Sequence, residues 1–420
     1  MTRVLVVGIL AVLLAALPGA ARAERKVVIT GGGYGHGLGL SQWGAYERAR
    51  NGATAGAIIR HYYTGVSVQA ADDLPTKVRV GVAYSRASIG LEARSLRDDG
   101  GLIEFSAGSL RPIATGRADS DWRVAPAGRG IAIFKNGTRI SADGKNIFAK
   151  RGVLRVDYEE HGTGVKVVEE ANLYDRGHIE IESHSGPCAG GRCVRLILEI
   201  PLEKYLLGVA EVSPHWPMEA LKTQTILSRT YVSYQVRRNG QHRSGCNCAV
   251  YDTSADQVYV GRDRRMEAGS YWDEWLRAVT STEGVAALYR GSPILALYMA
   301  SSGGHTEDNE EVWGGTPLPY LRGVPDAADA TAANPHHKWR LTMPWSTFSA
   351  RLNSYFSTGS VKRFEIKRPL GTSGRVTVVK GSDRGGVHIV GSTRSVRAGG
   401  YQVRTALGLK DTLFRVKVVH

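Results

Sequence analysis

An apolar run that breaks at two prolines and continues as a helical pattern occupies residues 200–234. Residues 200–210 are apolar with little alternation, which is typical of a buried strand. Pro214 and Pro217 interrupt the run, and from Met218 apolar residues recur at the spacing of a helix that begins with a proline. The segment therefore predicts a strand, a turn and a helix at the centre of a mixed fold.

Two polar residues stand out in this segment. Glu211 lies in the turn before the helix, where a carboxylate is favoured by the helix N-terminus. Gln224 lies on the predicted apolar face of the helix, and a buried amide needs hydrogen-bond partners, which indicates a polar pocket at that level. A cap formed by Glu211 and a loop anchored by Gln224 are the structural alternatives.

The rest of the chain indicates an α+β fold. Short β patterns separated by Gly, Asp and Asn turns fill residues 77–200 and predict an antiparallel β-rich region. We expect a mixed core of short helices packed on β-sheet, with this region inserted or appended. The expected organisation is a signal peptide at 1–23, a Gly-rich segment docking on the core at 24–70, a β-rich region at 71–200, and a core with a β-rich C-terminal segment at 201–420.

The first 23 residues are typical of a secretory signal. Arg3 precedes an apolar run at 4–17, and Ala-Arg-Ala follows at 21–23. The alternative is a membrane anchor. The signal is favoured because the run is shorter than the ~20 residues of a spanning helix. We expect an exported protein of the periplasm, the extracellular space or the cell wall, with no membrane span in the mature chain.

The formal net charge of +15 favours contact with a polyanion. Nucleic acid is not expected, because the basic residues are interpreted as scattered and no nucleic-acid-binding module is visible. The nearest polyanions of an exported protein are peptidoglycan, teichoic acids and lipopolysaccharide. Solubility alone is the alternative explanation of the charge.

The four cysteines form two close pairs. Cys188 and Cys193 flank a flexible Ala-Gly-Gly-Arg turn, which predicts a local disulfide. Cys246 and Cys248 are separated by one residue and are not expected to bond to each other. Because His242 precedes them, a zinc site is one interpretation, and disulfides or free thiols are the alternatives.

Two loops present further polar groups. The glycines at 31–39 indicate close backbone approach, and His36, Ser41 and Gln42 are the polar side chains of that segment. The glycines lack the βαβ context of a dinucleotide site. The second loop, residues 301–307, follows a predicted strand, but a serine nucleophile is not expected because the G-x-S-x-G elbow is missing.

Five stretches form a recognisable set. They are YLLGVAEV with WPMEALKTQ and SRTY in the central segment, GYGHGLGLSQWGAYERA from Gly33, YDTSADQVYVG from Tyr251, YMASSGGHTEDNEEVWGGTPLPYL from Tyr298, and RTALGLKDTLFRV from Arg404. Together they resemble the SpoIID/LytB family of secreted peptidoglycan proteins. In sporulation members the GHGxGxSQ block lies near the C-terminus, whereas here it comes first. Residues 31–66 must therefore fold back onto the core that carries Glu211.

The resemblance implies a lytic transglycosylase that cleaves peptidoglycan strands between N-acetylmuramic acid and N-acetylglucosamine. One catalytic carboxylate suffices, because the substrate's own 6-hydroxyl attacks and a 1,6-anhydro end forms without a required cofactor. Glu211 is the expected catalytic residue, with a raised pKa. Many members place this residue in a Glu-Met-Pro context, whereas here it is Glu-Val-Ser-Pro, and Glu219 is the substitute.

The resemblance also suggests the remaining site residues and partners. Some members hold a structural zinc ion by one His and two Cys, which His242, Cys246 and Cys248 match in order. Part of the family is described as non-enzymatic modifiers that bind wall glycan and stimulate a partner N-acetylmuramoyl-L-alanine amidase, and this role is the alternative. The residues expected to line the glycan groove are His36, Ser41, Gln42, Trp216, Gln224, Ser301, Ser302 and His305.

Overall fold

The computed structural model describes residues 25–108, 112–118, 120–142, 144–150, 152–382 and 384–419. The predicted signal peptide, residues 1–23, lies outside them. Among the described residues, no helix is both long and apolar enough to cross a membrane.

One long helix, α4 (Met218–Asn239), lies at the centre of the larger hydrophobic core. It begins where the sequence predicts, with Pro217 as the N-cap rather than the first helical residue. It is buried on several sides, since 14 of its 22 residues are buried. The other helices are α1 (Gln42–Arg50), α2 (Ala55–Tyr62), α3 (Leu202–Leu206), α5 (Asp263–Ala268), α6 (Trp272–Thr280), α7 (Asn309–Trp313), α8 (Trp345–Phe356) and α9 (Gly400–Leu407).

The strand predicted over residues 200–210 ends much earlier. It stops at Pro201, and the next residues form helix α3. Leu202, Tyr205 and Leu206 are buried at the i, i+3, i+4 spacing of a helix, which a continuous apolar run conceals.

Most strands are short and antiparallel. They are β1 (Lys26–Gly31), β2 (Leu40–Ser41), β3 (Ser67–Ala70), β4 (Lys77–Arg86), β5 (Ile89–Ser95), β6 (Ile103–Ser106), β7 (Ala114–Gly116), β8 (Asp121–Ala127), β9 (Gly130–Lys135), β10 (Thr138–Arg139), β11 (Leu154–Asp157), β12 (Thr163–Val167), β13 (Leu173–Tyr174), β14 (His178–Ser185), β15 (Arg192–Pro201), β16 (Val250–Tyr251), β17 (Val285–Tyr289), β18 (Ser292–Pro293), β19 (Tyr298–Met299), β20 (Trp339–Pro344), β21 (Val361–Ile366), β22 (Val387–Gly391), β23 (Ser395–Ala398) and β24 (Phe414–Val419). With the helices they confirm the predicted α+β class.

Two large sheets form the β-rich region. One has the order β16-β4-β15-β14-β11-β6-β7 and the other β10-β9-β8-β5-β12-β13. Phe105 of the first sheet packs on Trp122 of the second with ring centroids 4.4 Å apart, so the two sheets share a core. Strand β16 from the predicted 201–420 core pairs with β4 from the predicted 71–200 region, so that boundary crosses a shared sheet.

The Gly-rich N-terminal segment joins two bodies of the molecule. Strand β1 lies between β20 and β24, over a second hydrophobic core that contains Val27, Phe348 and Phe414. Strand β2 pairs with β19, and helix α1 packs near α4 in the larger core. Residues 31–66 thus do fold back onto the central helix, as the motif order requires.

Both cysteine pairs form disulfides. Cys188 and Cys193 are bonded at the end of the β14–β15 hairpin, which confirms the predicted pairing. Cys246 and Cys248 are also bonded to each other, so the expectation that one intervening residue prevents this bond is wrong. A residue with positive φ, Asn247, at the centre of the turn lets the two side chains meet.

Candidate active site

A cavity of about 760 Å³ lies where the Gly-rich segment, the central core and the C-terminal body meet. Its wall includes Glu211, aromatic side chains and a few polar groups from distant parts of the chain. The residues that line it and are used below are His36, Gln42, Glu211, Tyr231, Gln235, Asp256, Tyr298, Trp313, Tyr401 and Arg404.

Glu211 lies in the loop between α3 and α4, with its carboxyl group held from two sides. The backbone N–H of Val258 donates to Oε1 at 2.6 Å, and the Tyr298 hydroxyl donates to the same carboxyl group. Tyr298 in turn accepts a hydrogen bond from Gln257 Nε2 at 2.9 Å. The carboxyl group is therefore fixed in orientation.

Burial raises the pKa of Glu211 above its ordinary value. Desolvation is the larger effect, and the Val258 N–H, the Tyr298 hydroxyl and the charge of Arg264 lower the pKa by less. Arg264 is itself buried and donates to the carbonyl oxygen of Val212 at 2.6 Å. Among the described residues no Lys, Arg or His forms an ion pair with Glu211. A carboxyl group in this environment keeps its proton to higher pH than an exposed carboxyl group does.

Gln42 and Gln224 connect the Gly-rich segment to the Glu211 loop. The amide nitrogen of Gln42 donates to the Glu211 carbonyl oxygen and to Gln224 Oε1, each at 3.2 Å. Gln224 Nε2 donates to Ser228 Oγ at 3.1 Å, so this buried amide has partners at both ends. Gln42 lines the cavity, whereas Gln224 supports it from beneath.

His36 lines the same cavity as Glu211. Its Nδ1 accepts the Leu38 N–H at 3.0 Å, and its ring packs edge-on against Trp313 at 5.3 Å. Burial, with the positive charges of Arg404 and Arg375, lowers the pKa of His36 to about 3. The imidazole is therefore neutral and available for hydrogen bonding.

Asp256 is a second carboxylate at the cavity wall that the sequence did not single out. Arg243 forms an ion pair with it at 2.6 Å, the Tyr231 hydroxyl donates to it at 2.7 Å, and the Tyr251 N–H donates at 2.8 Å. Because both of its oxygens are occupied, Asp256 shapes the wall and is poorly placed to activate a water molecule.

Four residues expected in the groove do not line this cavity. The hydroxyls of Ser41 and Ser301 donate to Asp329 at 2.8 and 2.9 Å, and the hydroxyl of Ser302 donates to Asp326 at 2.8 Å. The sequence could not reveal this use, because the two acids lie 24 to 288 residues away from the hydroxyls that they bind. The fourth residue, His305, directs Nδ1 at the backbone carbonyl of Thr306.

Trp216 also lies outside the cavity lining. It packs with Trp43 at 5.0 Å and Tyr46 at 5.2 Å in a half-buried aromatic cluster. Trp216 therefore does not line the cavity beside Glu211, contrary to the expectation.

Two other acids of the 200–234 segment, one of them the substitute Glu219, are engaged elsewhere. Glu219 accepts the Ala55 N–H at 2.8 Å and pairs with Lys222. Glu203 pairs with the buried Arg229 at 2.6 Å. Glu211 is therefore the one of the three that faces the cavity.

The proposed zinc ligands do not fit a metal site. Thiolates are the ligands that zinc requires from cysteine, and the sulfur atoms of Cys246 and Cys248 are joined in a disulfide. His242 lies at the surface and contacts Asn247 Oδ1 at 2.7 Å. Among the described residues, His178, Glu180 and Glu199 do cluster. Arg79 and Lys77 already pair with these carboxylates, which disfavours a cation there.

Comparisons with known proteins bear on this site. The family model described as stage II sporulation protein, SpoIID, matches residues 191–289. Stage II sporulation protein D of Bacillus amyloliquefaciens is 29% identical over 52% of this chain and 60% of its own length. Amidase enhancer of Bacillus subtilis (strain 168) is 36% identical over 32% of this chain and 16% of its own length. Stage II sporulation protein D of the same strain is 31% identical over 36% of this chain and 46% of its own length.

The predicted resemblance to the SpoIID/LytB family is confirmed. The chain spans from about one sixth to three fifths of the length of these relatives. The SpoIID match contains Glu211 and the Val258 N–H that holds it, whereas Gln42 and Tyr298 lie outside it. Part of the cavity wall thus comes from outside the SpoIID match.

Proposed function

We propose that this protein is an exported lytic transglycosylase that cleaves peptidoglycan strands between N-acetylmuramic acid and N-acetylglucosamine, with Glu211 as its single catalytic carboxyl group. The observation that carries the proposal is a carboxyl group with a raised pKa, fixed by two hydrogen bonds at the wall of a large cavity. Kinship with SpoIID supports an action on the cell wall.

The reaction balances with one carboxyl group. Protonated Glu211 transfers its proton to the glycosidic oxygen as the bond from that oxygen to C1 of N-acetylmuramic acid breaks. The Glu211 carboxylate then accepts the proton of the 6-hydroxyl, and O6 bonds to C1 to give the 1,6-anhydro end. No water molecule is consumed, and Glu211 returns to its protonated form.

The environment of Glu211 supports both proton transfers. Desolvation favours the protonated carboxyl group before cleavage, and the donors from Val258 and Tyr298 stabilise the carboxylate that forms in the transition state. Hydrolysis would need a second free carboxylate, and the oxygens of Asp256 are occupied by Arg243, Tyr231 and the backbone.

A second candidate function is that of a glycan-binding modifier that stimulates a partner amidase. The relative named amidase enhancer favours it. In that case the cavity binds glycan without cleaving it.

Mass spectrometry of glycan fragments tests the proposal. Purified protein and its Glu211→Gln variant are incubated with intact and amidase-stripped peptidoglycan, with Glu219→Gln as a matched carboxyl control. We expect anhydro-ended fragments from the native protein and the control but not from Glu211→Gln. Fragments with reducing ends would indicate hydrolysis, and glycan binding without any fragments would favour the modifier.

A further inference from the structure

The net positive charge of this protein is concentrated in its C-terminal body. Residues 338–420 contain 16 Lys and Arg against 3 Asp and Glu, a net charge of +13. Residues 24–337 contain 36 residues of each sign and sum to zero. The interpretation of the basic residues as scattered is therefore wrong, and the charge has a location that needs a physical explanation.

One sheet displays part of this charge on its outer surface. In the sheet of order β20-β1-β24, Val27 and Ile29 point into the second hydrophobic core, so the alternate positions point outward. Thr30 lies opposite both Arg340 and Arg415 in the strand register. The outward positions other than Pro344, which we call the basic face, are Lys26, Val28, Thr30, Arg340, Thr342, Arg415, Lys417 and Val419.

A cavity of about 620 Å³ adjoins the basic face and is lined by three exposed arginines, Arg368, Arg384 and Arg415. Among the residues that the structure describes, Arg415 donates only to the backbone carbonyl groups of Gly374 and Phe414. Within the described part of the chain, the side chains of Arg368 and Arg384 form no hydrogen bond or ion pair. We call these three residues the arginine cluster.

The arginine cluster contrasts with other cations of the same body. Arg375 is buried in an ion pair with Asp411, and Lys380 pairs with Glu311. The fold thus pairs these two cations with acids and leaves the cluster and the basic face available to an external anion.

We propose that the arginine cluster and the basic face together bind a phosphate-bearing polymer of the cell envelope. A guanidinium group binds phosphate oxygens through two parallel hydrogen bonds, and three such groups around one cavity match a multiply charged anion. Alternate side chains on a strand lie about 7 Å apart, so the basic face extends the contact along a chain of charges. The face bears no acidic residue that would repel the polymer.

The same surface is poorly suited to single-stranded nucleic acid. Sequence-tolerant binding of unpaired bases depends on exposed aromatic rings. The outward positions of the basic face carry Lys, Arg, Thr and Val, and no aromatic residue. A polymer whose only recognisable groups are its phosphates fits this surface better.

Binding of inorganic polyphosphate, measured by fluorescence anisotropy at 50 and 150 mM NaCl, tests the proposal. The control variant loses the same charge through three exposed arginines of residues 24–337, whose net charge is zero. The two triple variants are R368Q/R384Q/R415Q and R60Q/R265Q/R290Q. At 150 mM NaCl we expect the first to bind at least about tenfold more weakly than the native protein, and the second less than about twofold more weakly.

Three outcomes would overturn the proposal. They are absence of polyphosphate binding by the native protein at 150 mM NaCl, equal weakening in both triple variants, and tighter binding of single-stranded DNA than of poly(glycerol phosphate) through the same arginines. Equal melting temperatures would show that both variants are folded. Because the Glu211→Gln variant should bind polyphosphate normally, failure of the proposed glycan cleavage would leave this test unaffected.

Discussion

Removal of the Tyr298 hydroxyl probes the proton-transfer role of Glu211 directly. The hydroxyl donates to the Glu211 carboxyl group and so favours its ionised form. In Tyr298→Phe the ring and its packing remain, but the carboxylate loses one of its two donors. The Val258 N–H at 2.6 Å stays in place, so the orientation of the carboxyl group should survive.

The expected size of the effect follows from the strength of such a bond. A hydrogen bond to a charged group contributes about 1.5–3 kcal/mol, and one pKa unit corresponds to about 1.4 kcal/mol. Glu211 must be protonated to begin the reaction, so the alkaline limb of kcat/KM reports its ionisation in the free enzyme. We expect this limb to move upward by about one pH unit, because water entering the cavity replaces part of the lost bond.

The assay is the pH dependence of anhydro-end formation on soluble glycan strands. Tyr231→Phe is the matched control, because Tyr231 lines the same cavity but donates to Asp256. An unshifted limb in Tyr298→Phe, or an equal shift in Tyr231→Phe, would refute the role assigned to the hydroxyl of Tyr298.

Three further perturbations have defined outcomes. The pKa of His36 is lowered to about 3 from 6.5, so the folded protein loses stability as the pH falls below 6.5. In urea titrations, His36→Gln should remove up to about 2 kcal/mol of the stability that the native protein loses between pH 7 and pH 5. The same pH dependence in the native protein and the variant would contradict this. Gln42→Ala removes the donor to the Glu211 carbonyl and should lower kcat about tenfold, whereas Gln235→Ala at the same cavity should not. Asp329→Asn should lower the free energy of unfolding by about 3 kcal/mol, because the hydroxyls of Ser41 and Ser301 and the Ser302 N–H all donate to its carboxylate. A loss below about 1 kcal/mol would show that these donors find other acceptors.

Short sequence patterns predicted the features that depend on residues close together in the sequence. The period of α4 was readable because helical spacing involves residues a few positions apart. Glu211 was singled out because an acid follows an apolar run just before a helix, and its catalytic role was inferred from the family resemblance. Gln224 was recognised as buried for the same kind of reason, although its partner Gln42 lies 182 residues away.

Features that depend on distant partners were mispredicted or missed. In the sequence, the hydroxyls of Ser301 and Ser302 resemble ligand-binding groups. In the structure they donate to the carboxylates of Asp329 and Asp326. Tyr298 gave no signal, because a tyrosine within an apolar strand pattern is indistinguishable from a core residue until its hydroxyl meets Glu211. The order of the cysteines suggested a metal site, and only the turn at Asn247 permits the observed bond.

The origin of the groups around Glu211 suggests why the chain folds its first residues back onto its centre. A single carboxyl group that both gives and takes a proton must be desolvated, yet it must also be held in one orientation. The residues matched by the SpoIID model provide the carboxyl group and the Val258 N–H. The second donor comes from Tyr298, and the contact that fixes the Glu211 backbone comes from Gln42, at opposite sides of the matched segment. Desolvation and orientation are therefore properties of the assembled tertiary structure, and residues 191–289 alone do not contain all the groups that produce them.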